Sequence, residues 1–200
     1  MDKASVEKEA KSHGSVGFPL AVYDNYELFP QYSKKAMYLH WHDEAELVHI
    51  RKGTARVQID DNESVLGQGA IAAIPGGSLH TAPSTTGKDF WFDAVVFNLN
   101  LLTSGMSDVT QLEFINRIKL RALHLPLFLR GRAAWERRVA EEVRGLIAAE
   151  RGRARGHEMA VKGSLFKIYA EPVARATARH CGRDIDPNPR TAEHPGTGTG

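Results

Sequence analysis

Apolar positions in this chain follow two different periods. From Phe18 to Asn98 they come as short runs of Val, Ile, Leu and aromatic residues, punctuated by Gly, Pro, Asn and Asp. That pattern predicts a compact antiparallel all-β unit. Its strands are placed at Ala36–His42, Glu46–Arg51, Ala55–Asp60, Ser64–Leu66, Ala70–Ile74, His80–Ala82 and Phe90–Phe97, with Asp60-Asp61-Asn62 as a turn between two of them. Seven strands at this spacing predict a sandwich or a barrel.

Beyond Asn98 the period lengthens. Leu112, Ile115, Ile118 and Leu120 predict a short helix between Val109 and Leu120, and Leu125-Pro126-Leu127-Phe128-Leu129 reads as a brief extended link. Trp135, Val139, Val143, Leu146 and Ile147 then share one face of a helix from about Ala133 to Glu150. Gly152 to Gly156 breaks it. Val161, Leu165, Ile168, Tyr169 and Val173 mark a second helix, which Pro172 is expected to kink or shorten. The composition of residues 1–16 predicts a flexible lead-in, and the Asp, Asn, Pro, Gly and Thr content of 182–200 predicts a disordered tail.

Composition narrows the class without choosing a function. At 42% hydrophobic and 25% charged, the chain is that of an ordinary soluble domain. Met1 to Ser15 is polar and unlike a signal peptide, and no apolar run approaches the ~20 residues that span a bilayer. The single cysteine, Cys181, excludes an internal disulfide and a multi-cysteine zinc site. A cytoplasmic location without membrane attachment is the expectation. Residues 1–116 hold nine Lys and Arg against fifteen Asp and Glu, whereas 117–200 hold seventeen against nine. The basic residues of the second part alternate with apolar ones, as on solvated helix faces, and do not form a run suited to nucleic acid.

The chemistry concentrates in two spaced motifs. The first is His40-Trp41-His42, then Glu46, then Gly53; the second is Gly69, Pro75-Gly76-Gly77 and His80. Side chains two apart on a strand share a face, so His40, His42, Glu44 and Glu46 are expected on one side, continued by Val48 and Ile50, with Trp41, Ala45 and Leu47 opposite. A face running from ionisable to apolar fits a barrel interior with a polar mouth. Three imidazoles and a carboxylate make a first shell for a divalent transition metal (Fe, Mn, Ni, Co or Zn). The same side chains can instead line a pocket for an organic ligand, and both readings stay open. His13, His49 and His124 are read as lying outside the site. No nucleophile elbow, phosphate-binding glycine loop or cysteine nucleophile competes.

These two motifs resemble the two cupin motifs, with all four metal-ligand positions filled by His40, His42, Glu46 and His80; Ser84 stands where the second motif commonly ends in Asn. The resemblance implies a mainly β fold with C-terminal α structure: a cupin-type barrel (double-stranded β-helix or jelly-roll) over residues 17–98, followed by a helical dimerisation and linker segment over 99–181. A further resemblance covers roughly residues 17–180. His40-Trp41-His42-Asp43-Glu44-Ala45-Glu46-Leu47-Val48, Phe97 to Leu102, Leu125-Pro126-Leu127 and the closing helices are similar to the sensor domains of AraC-type transcription regulators.

That second likeness implies a barrel that senses a small-molecule effector, often a sugar or related metabolite, on His40, His42, Glu46 and His80, and helices that support dimerisation. In that family a separate helix-turn-helix unit reads DNA. The expectation is therefore a truncated or sensor-only chain, without direct DNA binding of its own, that forms a homodimer or pairs with a full-length relative. The competing expectation is a small metal-dependent cupin enzyme, an oxygenase or isomerase, using the same four residues.

Overall fold

The computed structural model describes residues 6, 8–24, 36–85 and 90–176. The expected tail at 182–200, like Cys181, lies outside the described residues. The strands are β1 (Leu20–Asp24), β2 (Ala36–His40), β3 (Ala45–Lys52), β4 (Thr54–Ile59), β5 (Asn62–Gly67), β6 (Ile71–Ile74), β7 (His80–Pro83), β8 (Trp91–Phe97) and β9 (Phe128–Leu129). They form two antiparallel sheets, ordered β1-β8-β3-β6-β9 and β2-β7-β4-β5. The chain passes back and forth between the sheets, as in the jelly-roll expected from the motifs.

Period-two alternation divides the larger sheet between two cores. Val48, Ile50, Ala72, Ile74, Phe92, Ala94 and Val96 point inward, where they meet Met37, Val57, Ile59, Leu66 and Ala82 of the smaller sheet. Ala45, Leu47, Ile71, Val95 and Phe97 point outward and pack under the helices. Burial on both faces explains why β8 reads as an almost continuous apolar run. Two strands were not among those read from the sequence. β1 joins the edge of the sheet by pairing with β8, Leu20 opposite Phe97, and the two-residue β9 pairs with β6. Both depend on partners far away in sequence, so local pattern carries little trace of them.

The helical part follows a 3₁₀ turn at Leu99–Leu102. A π-helical stretch, Thr110–Ile115, runs into a single α-helical turn, α1 (Asn116–Lys119), where the sequence predicted an ordinary short helix. α2 spans Ala134–Gly152 and buries Val139, Ala140, Val143, Leu146 and Ile147, the stripe expected from the 3.6-residue period. The Glu136 carboxylate accepts from the backbone N–H groups of Arg132 and Ala133, satisfying donors that a helix start leaves free. α3 (His157–Val173) packs antiparallel to α2 and buries Val161, Leu165 and Ile168. Pro172 is its penultimate residue; the helix runs through it to Val173, without the bond that an N–H at 172 would make back to Ile168. Burying side chains such as Val143 and Leu165 contributes about 1.5–3 kcal/mol each, which secures the hairpin on the sheet. No helix among the described residues is long and apolar enough to cross a membrane.

Candidate metal centre

His40 is the last residue of β2 and pairs directly with His80, the first of β7. Glu46 is the second residue of β3 and points inward. His42 lies in the crossing between β2 and β3. The turn before His80 is held against that crossing: Gly77 N–H donates to His42 O at 2.6 Å. Only glycine fits at position 76, because a Cβ there would lie 2.2 Å from Asp43 O. The Pro75-Gly76-Gly77 signal thus brings the second motif onto the first, as its spacing predicted.

The four expected donors come together. Their ligating atoms all lie within 4.8 Å of one another. Glu46 Oε2 is 3.2 Å from His42 Nε2 and 3.1 Å from His80 Nε2. The His40 and His80 rings are 4.2 Å apart between centroids, and His42 and His80 5.1 Å. His42, Glu46 and His80 are buried, and His40 is partly so. Glu44, expected on the same face, is not in the group. The chain bends at Asp43–Glu44, which breaks the alternation before β3 begins.

The protonation pattern identifies what these atoms want. His40 Nδ1 lies 2.9 Å from Tyr38 O, His42 Nδ1 3.1 Å from Glu44 O, and His80 Nδ1 2.9 Å from Ser78 O. A carbonyl oxygen only accepts, so each Nδ1 carries the proton. In the neutral ring each Nε2 is then a bare lone pair. Without a proton on Nε2 these three nitrogens and the Glu46 carboxylate converge as acceptors alone, and a proton on His42 Nε2 turns its 3.2 Å contact with Glu46 Oε2 into a hydrogen bond. Such a set is satisfied by a proton or by a cation. Metal–ligand bonds of ~2.1 Å would separate neighbouring donors by roughly 3.0–3.4 Å, and the spacings around Glu46 fall there. The donor chemistry fits a divalent transition ion.

The titration shifts agree. Burial disfavours charge on Glu46, but bonds from His42 and His80 override it and hold the carboxyl far below its usual range. Burial also opposes the charged form of His42, and Glu46 overrides it, raising that imidazole. His40 is lowered, by burial first and then by His80.

Three further residues at the site were not found by the sequence reading. Arg121, just past α1, donates from Nη2 to Gly76 O at 2.5 Å and Ser78 Oγ at 3.0 Å, bracing the turn that carries His80. Nothing in the local pattern marks it. Glu9 and His13 approach from the N-terminal lead: Glu9 Oε2 is 3.6 Å from His40 Nε2, and the His13 ring is 5.5 Å from that of His42. His13, set aside in the sequence, therefore lies at the centre's edge. His49 lies on the outer face of β3 beside Asp93. His124 lines a cleft of about 620 Å³ between the barrel and the segment before α2, which is also bounded by Leu47, Asn98, Arg121 and Leu127 and reaches Glu46.

The family model described as AraC-like ligand binding domain matches residues 27–132. The HTH-type transcriptional regulator YdeC of Bacillus subtilis (strain 168) is 28% identical over 138 residues, which are 68% of this chain and 45% of the regulator. The chain thus spans less than half the length of that curated relative. Among solved structures, a cupin 2 conserved barrel domain protein from Rhodopseudomonas palustris is similar over 32% of this chain and 45% of its own, at 23% identity and TM-score 0.30. An oxalate decarboxylase variant of Bacillus subtilis is similar over 49% of this chain and 29% of its own, at 19% identity and TM-score 0.31.

Proposed function

This chain belongs to the AraC-like ligand-binding domain family, and from that premise we propose that it is the effector-sensing part of a transcription regulator, with His40, His42, Glu46 and His80 as its sensing centre. The observation that carries the reading is the convergence of three imidazole Nε2 atoms, each ring turned with Nδ1 to a backbone carbonyl, on one buried carboxylate. A divalent cation held by these four residues would supply a Lewis-acidic anchor for an oxygen of the effector. The chain's own residues do the rest. Backbone carbonyls of Tyr38, Glu44 and Ser78 orient the rings, and Arg121 fixes the turn before His80. The adjoining cleft has the volume of a small-molecule site, ~300–1,000 Å³, which supports a metabolite-sized effector.

Because that cleft runs between the barrel and the segment leading to α2, occupancy there can bias how the helices sit. The bias can be no larger than the effector's differential affinity for the two arrangements. Met106, Val109, Leu112 and Leu120 are large apolar residues left exposed on the stretch through α1, which supports a second copy of the chain as its cover. Sedimentation should then give a dimer.

Elemental analysis of purified protein, followed by thermal melts across sugars and related metabolites, tests the proposal. Stoichiometric Mn, Fe, Co, Ni or Zn and an effector-dependent rise in Tm are expected. Protein that takes up neither cation nor metabolite under any condition would falsify it. A second reading, a metal-dependent oxygenase or isomerase, draws on the same donor set. Turnover of a metabolite by the metal-loaded chain, lost in His42→Ala, would favour it over sensing.

A further inference from the structure

Residues 8–13 lie beside the centre, and the contacts that hold them there are specific. Lys8 pairs with Asp43, the Glu9 N–H donates to Trp41 O at 2.9 Å, and Trp41 Nε1 donates to Val6 O at 3.2 Å. The Glu9 backbone is thereby pinned beside the strand that ends in His40. Its side chain turns inward, with 23% of it exposed, and its Oε2 lies 3.6 Å from His40 Nε2 and 3.8 Å from His13 Nε2. A carboxylate on a polar lead segment would ordinarily face water, where its charge costs nothing to keep. This one is set between two imidazoles.

His13 gives a second, independent pointer. It is buried, at 5% exposure, and its Nε2 makes no hydrogen bond. Its Nδ1 lies 3.3 Å from the Tyr23 hydroxyl. With that hydroxyl donating to Nδ1, the Nε2–H of a neutral His13 faces Glu9, the arrangement by which an outer imidazole orients a metal-binding carboxylate.

We infer that Glu9 is a fifth donor to the cation centre and that His13 is its positioning residue. The inference rests on the reading that His40, His42, Glu46 and His80 hold a divalent cation. Glu9 is outside the compact group of four, but its carboxylate Oε2 is already 3.6 Å from the Nε2 of one member, His40. Its addition would give the centre two carboxylates and three imidazoles, a harder and more anionic set than the four core residues alone. Such a set favours six-coordinate ions such as Mn²⁺, Fe²⁺ or Co²⁺ over tetrahedral Zn²⁺.

Titration of the full chain with Co²⁺ tests this, read by calorimetry and by the visible absorption of the bound ion. Wild type is expected to bind one Co²⁺ with the weak absorption of a five- or six-coordinate ion. Glu9→Gln should keep the unliganded melting temperature, bind about 10–100-fold more weakly and absorb more intensely as coordination number falls. His13→Ala should weaken binding less and move the spectrum in the same direction. Glu9→Gln with wild-type affinity and spectrum overturns the assignment while leaving the four-residue centre intact. Absence of Co²⁺, Mn²⁺ and Zn²⁺ binding in wild type overturns the cation reading, and this inference with it.

Discussion

β3 carries an ionic cluster on each of its faces, and the two are built on opposite principles. Inside, Glu46 is buried among His40, His42 and His80; outside, the equally buried Asp93 of β8 meets His49 and Arg51 of β3 and Arg151 of α2. Arg151 Nη2 donates to Asp93 Oδ1 at 2.8 Å, and Arg51 Nε is 3.3 Å from the same oxygen. Burial pushes the Asp93 carboxyl up, but bonds from His49 and Arg151 outweigh it and leave the group lowered. The outer carboxylate is thus neutralised by guanidinium groups that never lose their charge. It staples sheet to helix without help. The inner carboxylate has only imidazoles, each with its proton committed to a backbone carbonyl. That cluster stays short of positive charge until a proton or cation arrives, and this is what separates a binding centre from a structural ion pair.

Glu46→Gln should abolish divalent-cation binding by calorimetry while the far-UV circular dichroism stays unchanged. Asp93→Ala should do the reverse, leaving cation affinity within twofold and lowering stability by about 2 kcal/mol in urea unfolding. That cost lies below the 3–5 kcal/mol typical of a broken buried pair, because the partly exposed Arg51 and Arg151 can turn to water. Equal destabilisation by both substitutions, with cation affinity unaffected by either, would show that the clusters are of one kind.

The pH dependence separates the two further. His42 is raised, so its contribution is complete below about pH 6.5 and is lost as pH climbs through its raised folded value. Glu46 and Asp93 are lowered, so theirs are present above about pH 4 and are lost as pH falls through the lowered values. Cation-free protein should therefore lose melting temperature as pH rises from about 6.5 to 8.5. Glu46→Gln should flatten that slope, Asp93→Ala should keep it, and saturating Co²⁺ should reverse it as the competing proton leaves. The smallest effect belongs to the outer contact of residues 8–13. Lys8 and Asp43 are exposed, so Lys8→Ala should cost less than about 1 kcal/mol by thermal melts.

Much of the inner cluster is legible in the sequence. Period-two spacing puts Glu46, Val48 and Ile50 on one face and Ala45 and Leu47 on the other, as found. The Pro75-Gly76-Gly77 turn marks where His80 returns. Where the pattern misleads, a local departure from regular strand is the cause. Glu44 follows the parity rule on paper, but the bend at Asp43–Glu44 removes it. The outer cluster is far less legible. His49, Arg51, Asp93 and Arg151 come from three elements, and nothing in their spacing relates them. Glu9 and Arg121 are hidden for the same reason: each reaches the site by a contact spanning more than thirty residues.

By itself, then, the sequence determined the residue types of the centre, the face of each strand they occupy, and the stripes by which α2 and α3 cover the sheet. These follow from periods of 2 and 3.6 residues, which any short stretch displays. The packed chain alone settles which backbone carbonyl each imidazole meets, which carboxylate finds permanent cations, and which distant side chains stand beside His40. Those outcomes depend on backbone carbonyls and distant side chains whose positions no local pattern encodes.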